Sequence, residues 1–455
     1  MPEWTNDAFF YHIYPLGLCG APARNDFYSP QTACLEQLYP WLDHMQELGI
    51  NALYLGPVFE SSAHGYDTAD YYRVDRRLGS NQTLKELSRE MHQKGLRLVL
   101  DGVFNHVGRD FWAFKDVQAK GQASEYCGWF SNLDFGRRSP NGDSFSYEGW
   151  AGHYDLVKLN LHNPAVVDHL LGAVAFWMDE FQIDGLRLDA ADVLDHDFIR
   201  KLAAFCRESN KDFWLMGEVV QGDYQRWANP EMLDSVTNYE CYKGLWSSHA
   251  NKNYFEIAYS LNRLFGKEGV YRHLRLFNFA DNHDVNRVAS NLNNPAELYP
   301  LYCLLFTMPG IPSIYYGSEW GIEGKRTNRS DTMLRPALDL AKAPSGSLQP
   351  ALAPAISRFA RLRQESEALK WGDYRQLFVG SQQFAFSRRT ANESFIVAVN
   401  SADKPAVVEL DLRLAGIEGR EVVDLLNDQE VFPIKAGKVC LDPVWPGWAR
   451  VLRVR

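Results

Sequence analysis

At 455 residues the chain exceeds one ordinary domain, and 46% hydrophobic with 23% charged residues is the make-up of a soluble globular protein. A net charge of -10 argues against a nucleic-acid partner, which needs basic patches. No run approaches the ~20 apolar residues of a membrane helix, so no membrane partner is expected. Seven cysteines (Cys19, Cys34, Cys127, Cys206, Cys241, Cys303, Cys440) are scattered without CxxC or metal-ligand spacing and read as reduced thiols. The start, MPEWTNDAFFYHIYP, has no basic region followed by an apolar stretch of secretory length, and a cytoplasmic protein is expected. The 13% aromatic share is rich, but rings fill cores as readily as they stack on sugars.

In chain order, eight apolar runs read as strands: 8–16, 52–58, 96–104, 185–191, 213–219, 233–239, 274–280 and 313–320. Helical periods lie between them. ACLEQLYPWLDHMQELG and TLKELSREMHQKG step apolar residues by three and four and stop on Gly49 and Gly95, and PAVVDHLLGAVAFWMDEF begins with a proline suited to a first turn. Eight strand–helix units imply an α/β fold, a parallel sheet closed into a (β/α)8 TIM barrel. The sixth unit is the least regular, with a short strand and weakly periodic, aromatic-rich sequence behind it. The third unit is interrupted between His106 and Leu161 by a stretch rich in Gly, Ser, Asp and aromatics. A structureless loop this long is improbable, so an inserted subdomain over the barrel mouth is expected. Beyond about residue 370 two-residue alternation takes over (FAFSRR, SFIVAVN, AVVELDL, EVVDLL, ARVLRV), implying a C-terminal antiparallel β-sandwich domain. The expected division is barrel 1–106 and 161–370, insert 107–160 and terminal domain 371–455.

Acids close several of these runs. LRLVLDGVFNH ends on Asp101, Asn105 and His106, GLRLDAAD carries Asp189, FWLMGEV ends on Glu218, and FNFADNHD carries His283 and Asp284. In a parallel barrel, residues from different strand ends meet at the C-terminal face. Arg187 and Asp189, two apart on a strand, share a face, while Leu186 and Leu188 point to the helices. An arginine there lowers an aspartate's pKa, as a nucleophile requires, although a structural ion pair explains the two equally well. Glu218 among Trp214, Met216 and Val219 is expected to keep its proton through apolar enclosure and so to act as a general acid. Asp284 is placed to grip two sugar hydroxyls, unless it only forms a turn.

DGVFNH, GLRLDAADV, GEV and FADNHD, in that order, resemble the four short motifs of the α-amylase family of glycoside hydrolases (family 13), across essentially the whole chain. The stretch from GYDTADYY to FNH, LDAADVLDHDF and VKLN (157–160) are most similar to the neopullulanase and cyclomaltodextrinase group. The resemblance implies Asp189 as nucleophile, Glu218 as acid/base and Asp284 as the residue that holds and distorts the sugar. It implies Arg187, His106 and His283 as hydrogen-bonding partners, Tyr66 as a stacking platform and Asp101 as a supporting acid. Glu319 and Arg335 resemble family positions at and beyond the eighth strand. Asn105 matches a family calcium position, but its partners cannot be identified and the acidic loop of relatives is reduced to GLCGAPARNDFYSP; no cofactor is required and calcium is not expected. Where many α-amylases carry a Lys and a His on the leaving-group side, this chain has Asp192 and Val193, which puts endo-cleavage of long starch in doubt. The chain enters its first strand almost at once, without the group's extra N-terminal β domain, which is consistent with a monomer.

The implied chemistry is retaining hydrolysis of α-1,4-glucosidic bonds in maltooligosaccharides, cyclodextrins or related α-glucans through a covalent glycosyl-enzyme. The alternatives are an α-glucan transglycosylase, which the aromatic insert would favour, and an enzyme specific for sucrose, trehalose or isomaltose. A sugar-binding protein on the same scaffold is disfavoured by the three retained carboxylates.

Overall fold

All eight expected strands are present in the computed structural model, which describes residues 1–328 and 330–455, and each is shorter than its apolar run. They are β1 (Phe10–Ile13), β2 (Ala52–Leu55), β3 (Arg97–Gly102), β4 (Gly185–Leu188), β5 (Trp214–Gly217), β6 (Ser235–Val236), β7 (Phe277–Asn278) and β8 (Ile311–Tyr315). All pair in parallel in the order β6–β5–β4–β3–β2–β1–β8–β7. The seam between β6 and β7 is narrow. A bridge from Thr237 to Phe277 closes it, with the Asn238 N–H donating to the Phe277 carbonyl at 2.9 Å.

Strand alternation sorts the side chains into two cores. Leu53, Leu55, Leu98, Leu100, Leu186 and Leu188 face outward into the large core under the helices. Phe10, Val99, Trp214, Met216 and Phe277 face inward and plug the barrel, with Phe10 and Trp214 stacked at 4.9 Å. The strand-end acids sit on top of that plug.

Helix starts follow their capping chemistry. In α1 (Tyr39–Glu47) regular helix begins only at Tyr39, because Pro40 is tolerated only in a first turn, and Cys34–Leu38 ahead of it forms a 3-10 turn. α2 (Asn81–Gln93) is capped by Ser80, whose hydroxyl accepts from Thr83 N. α3 (Pro164–Phe181) has Pro164 in its first turn and the Asn163 side chain accepting from Ala165 N. The irregular sixth unit carries two helices, α4 (Tyr239–Ala250) and α5 (Phe255–Phe265), before β7.

The interrupted third unit holds a helix (Trp112–Lys120) and a three-stranded antiparallel sheet, with His153–Lys158 between His106–Gly108 and Gly149–Trp150. Val157 pairs with both Val107 and Gly149, and the Leu159 N–H reaches the Asn105 carbonyl at 3.0 Å. The VKLN segment thus seats the insert on the end of β3.

After α6 (Leu298–Thr307) and α7 (Leu352–Gln364) comes the terminal β domain. Its eight strands are β9 (Asp373–Val379), β10 (Gln383–Arg389), β11 (Ser394–Asn400), β12 (Ala406–Asp411), β13 (Glu421–Asp424), β14 (Val431–Pro433), β15 (Lys438–Val444) and β16 (Trp448–Val454). A sheet ordered β9–β10–β11–β16–β13–β14 packs on the pair β12–β15 over Ile396, Val408, Leu410, Val439 and Leu441. Five alternating runs were readable in the sequence. The others are β9, an edge strand of mixed burial, the three-residue β14, and β15, which contains Pro443.

Candidate active site

Asp101 ends β3 directly opposite Arg187 on β4, and Asp189 and Glu218 follow the ends of β4 and β5. The Arg187 guanidinium binds all three acids. Its Nη1 donates to Asp101 Oδ1 at 2.8 Å and to Asp189 Oδ1 at 3.0 Å, and its Nη2 lies 2.7 Å from Glu218 Oε2. The ion pair that the sequence allows therefore exists, and one cation from β4 serves three strands. Glu218 also accepts from Ala190 N at 3.2 Å, on the residue after Asp189, and from the Tyr239 hydroxyl at 3.3 Å. Nucleophile and acid/base candidates are thus brought together through one planar group.

Asp284 closes the other side. Its Oδ2 lies 2.9 Å from His283 Nε2, and its Oδ1 accepts from Arg335 Nη2 at 3.1 Å. Arg335 Nε holds the His283 carbonyl at 3.0 Å while its guanidinium stacks over Tyr14. The Tyr66 hydroxyl donates to Asp101 Oδ2 at 3.0 Å and meets His283 Nε2, and the two rings are nearly parallel, their centroids 5.4 Å apart. His106 Nε2 stands 3.9 Å from Asp189 Oδ2 and has no hydrogen-bond partner. Its Nδ1 is 3.2 Å from Asn105 Nδ2, so Asn105 as donor fixes the tautomer with the proton on Nε2.

Glu319 is not part of this group. It is fully buried outside the barrel wall, bonded by the Tyr11 hydroxyl at 2.5 Å and lying 2.8 Å from His44 Nε2. Asn105 Oδ1 is buried without a partner, yet among the described residues no three His, Cys, Asp or Glu side chains gather that could hold a metal. Four contributors were not singled out from the sequence. Tyr54 donates to Asp101 Oδ2 at 2.7 Å, Tyr239 reaches Glu218, Trp150 of the insert leans on His106 at 5.6 Å, and His12 stacks on Tyr54 at 4.1 Å. His12 and Tyr54 lie on strands read correctly as strands, and their inward parity was the available signal.

The electrostatics depart from two expectations. Burial pushes the Asp189 carboxyl well above the ordinary range, against the downward pull of Arg187, and the Glu218, Asp101 and Asp284 charges add to the rise. One guanidinium is shared among three carboxylates, and for Asp189 burial outweighs its pull. Nor is Glu218 enclosed by apolar neighbours: Trp214 and Met216 belong to the plug below it, and its own contacts are polar. Asp284 is different. Despite burial, His283 and Arg335 hold it well below the usual carboxylate range. Burial brings His106 down to about 3, so it is a neutral donor at working pH.

Acids delivered by separate strand ends to one guanidinium, at the rim where barrel enzymes do their chemistry, form the arrangement by which a glycosidase acts on an acetal carbon. The chain belongs to the α-amylase family, whose catalytic domain matches residues 35–346. It is 31% identical over 460 residues to a cyclomaltodextrinase of Thermoanaerobacter pseudethanolicus, covering 94% of this chain and 75% of that protein. It is 30% identical to neopullulanase 2 of Thermoactinomyces vulgaris, with the same coverage. Among solved structures, the cyclic α-maltosyl-(1→6)-maltose hydrolase of Arthrobacter globiformis superposes with a TM-score of 0.82 at 27% identity, over 100% of both chains. The protein is an α-amylase-type glycosidase of the cyclomaltodextrinase and neopullulanase group.

Proposed function

We propose that the protein hydrolyses α-1,4 linkages of maltooligosaccharides and cyclodextrins with retention, in two steps. Asp189 attacks the anomeric carbon as Glu218 protonates the departing oxygen; Glu218 then takes a proton from water, which releases the sugar from Asp189. The observation that carries this reading is Arg187 bridging Asp189 and Glu218, which suits the ~5–5.5 Å carboxyl separation of retaining enzymes. The first step needs a proton on Glu218. A sugar oxygen arriving at Glu218 gives that proton an acceptor, while Arg187 and the His106 Nε2–H stabilise the charge left on Asp189. Asp284 and His283 take the sugar hydroxyls, and Arg335 keeps Asp284 ionised and in place.

The reading includes no metal requirement, since each step is carried by Asp189, Glu218 and the groups that hold them, and it includes a monomer. It also includes a cytoplasmic location, supported by seven cysteines without a disulfide. Asp189→Asn is expected to abolish turnover of maltotriose and β-cyclodextrin while leaving the melting curve unchanged. Product chromatography on maltotriose, β-cyclodextrin, pullulan, starch and sucrose tests the substrate. An active Asn variant overturns the mechanism, and cleavage of sucrose alone overturns the substrate class. Dialysis against EDTA is expected to change neither activity nor melting temperature.

A further inference from the structure

Five of the seven cysteines stand apart from one another: Cys206, Cys241 and Cys303 are buried, Cys127 lies against the Gly121 carbonyl, and Cys440 is exposed. Cys19 and Cys34 form a pair. Cys19 follows the short helical turn after β1 and Cys34 opens the turn leading into α1, so they stand at the two ends of the exposed loop 20–33. Each sulfur crosses to the other's backbone. Cys19 Sγ is 3.3 Å from the Cys34 carbonyl oxygen, and Cys34 Sγ is 3.4 Å from that of Cys19. The reciprocal crossing turns each sulfur toward the other residue's backbone, so that the two thiols interact directly enough to shift one another. The loop ends are fixed independently. Arg77 Nη1 donates to the Pro22 carbonyl at 3.0 Å, Thr32 N to Arg76 O at 2.9 Å, and Leu35 N to Leu78 O at 2.9 Å.

The pair is reachable and unequal. Both residues are partly exposed, and Cys19 lines a cleft of about 680 Å³ with Gln37, Trp41, Ala337 and Leu340. Gln37 Nε2 points at Cys34 Sγ from 3.6 Å, as a donor that favours thiolate there. The hydrogen bond from Cys19 also lowers the Cys34 thiol, while the same bond, together with burial, raises Cys19. Cys34 is the attacking sulfur and Cys19 the resolving one.

We propose that Cys19 and Cys34 are a covalent modification site for small disulfides of the glutathione type, ending in an internal disulfide that closes loop 20–33. The Cys34 thiolate attacks one sulfur of the disulfide reagent and expels the first thiolate. Cys19 then loses its proton to solvent and attacks the Cys34 sulfur of the mixed disulfide, expelling the second thiolate. The two protein thiols give up two electrons, which reduce the reagent to two thiols. Closure needs little backbone movement, because each sulfur already lies within 3.4 Å of the other residue's carbonyl oxygen.

The test incubates the reduced, full-length protein with oxidised glutathione and maps its fragments by mass spectrometry. The expected result is a loss of two free thiols from the Cys19 and Cys34 fragments, which become joined, with no glutathione on either and full recovery on adding dithiothreitol. Cys19→Ser is expected to stop at a glutathione adduct on Cys34, and Cys34→Ser to leave Cys19 unmodified. Turnover of maltotriose by each variant checks that the fold is kept. A stable adduct on Cys34 in the unsubstituted chain, or both thiols remaining free while Cys440 is modified, overturns the proposal.

Discussion

A single hydrogen bond sets what His106 can do. With Asn105 Nδ2 facing Nδ1 and burial holding the ring neutral, Nε2 carries the proton and faces Asp189 with no other partner. Asn105→Asp reverses that bond. A carboxylate accepts from Nδ1, turns the neutral ring to the other tautomer and raises the imidazole pKa. At neutral pH the site then loses its donor beside Asp189, and kcat/KM for maltotriose is expected to fall by about tenfold or more, the cost of an unmade hydrogen bond to a charged group. At lower pH the imidazolium restores the Nε2–H, so the optimum is expected to move to acid; a profile parallel to that of the unsubstituted enzyme rules the tautomer role out. This role could not be read from the sequence, where Asn105 matched only a calcium position. The motif residues themselves were legible because they end strands of known parity. Their protonation was not, because it depends on how many acids share Arg187, and that number is set by strands far apart in the chain.

Among the elements, the barrel strands were legible as apolar runs and the insert only as a break in the pattern. Its aromatics were read as part of a subdomain over the barrel mouth that would favour a transglycosylase. Most of them instead make a core of its own. Phe114 packs on Phe130, Phe145 and Tyr147, and Trp112, Tyr126 and Trp129 gather near His169 of α3, leaving Trp150 to face the site. Those partners are distant in sequence, so local pattern could not assign them. A polar clamp completes the insert: Arg109 binds Asp143 through two bonds of 2.7 and 2.9 Å, and Ser139 and Gln118 donate to the same carboxylate. Burial alone would raise Asp143, but these donors bring it down to about 2. A depressed carboxylate contributes stability that is present above its unfolded value of about 4 and is lost as pH falls from about 4 toward 2. Amide exchange across residues 107–160, taken relative to its intrinsic rate at each pH, is therefore expected to quicken over that window. In Asp143→Asn it is expected to be fast already at pH 6 and to lose this pH dependence. An unchanged exchange profile in the variant removes the clamp from the account.

For the molecule as a whole, the question is how the terminal sandwich is fastened to the barrel. Beside the apolar core that the two share, a buried cation without a carboxylate partner crosses the joint. Arg388, on β10, is 1% exposed and donates to the carbonyls of Thr307 at 2.7 Å, Leu369 at 3.0 Å and Gly372 at 3.0 Å. On the barrel side Arg363 of α7 donates to Phe306 O at 3.0 Å and Met308 O at 3.2 Å, holding the end of α6 on which Arg388 docks. Phe306 and Thr307 end α6, so their carbonyls lack partners within the helix and stand at its negative pole, where a guanidinium replaces both the missing donors and the counter-charge. Composition and periodicity divided the chain near residue 370 but carried no information about this joint, whose donors and acceptors meet only in the fold. Arg388→Leu keeps bulk while leaving three buried carbonyls unpaired. At ~1–3 kcal/mol for each unsatisfied group, part of it recovered by relaxation, a loss of about 3 kcal/mol or more is expected in urea unfolding. The active site lies at the opposite, C-terminal end of the strands, so kcat per folded molecule is expected to stay unchanged at temperatures well below the new melting point. A loss below about 1 kcal/mol would mean that apolar packing of α6 on β11 and β16 holds the two domains together without the arginine.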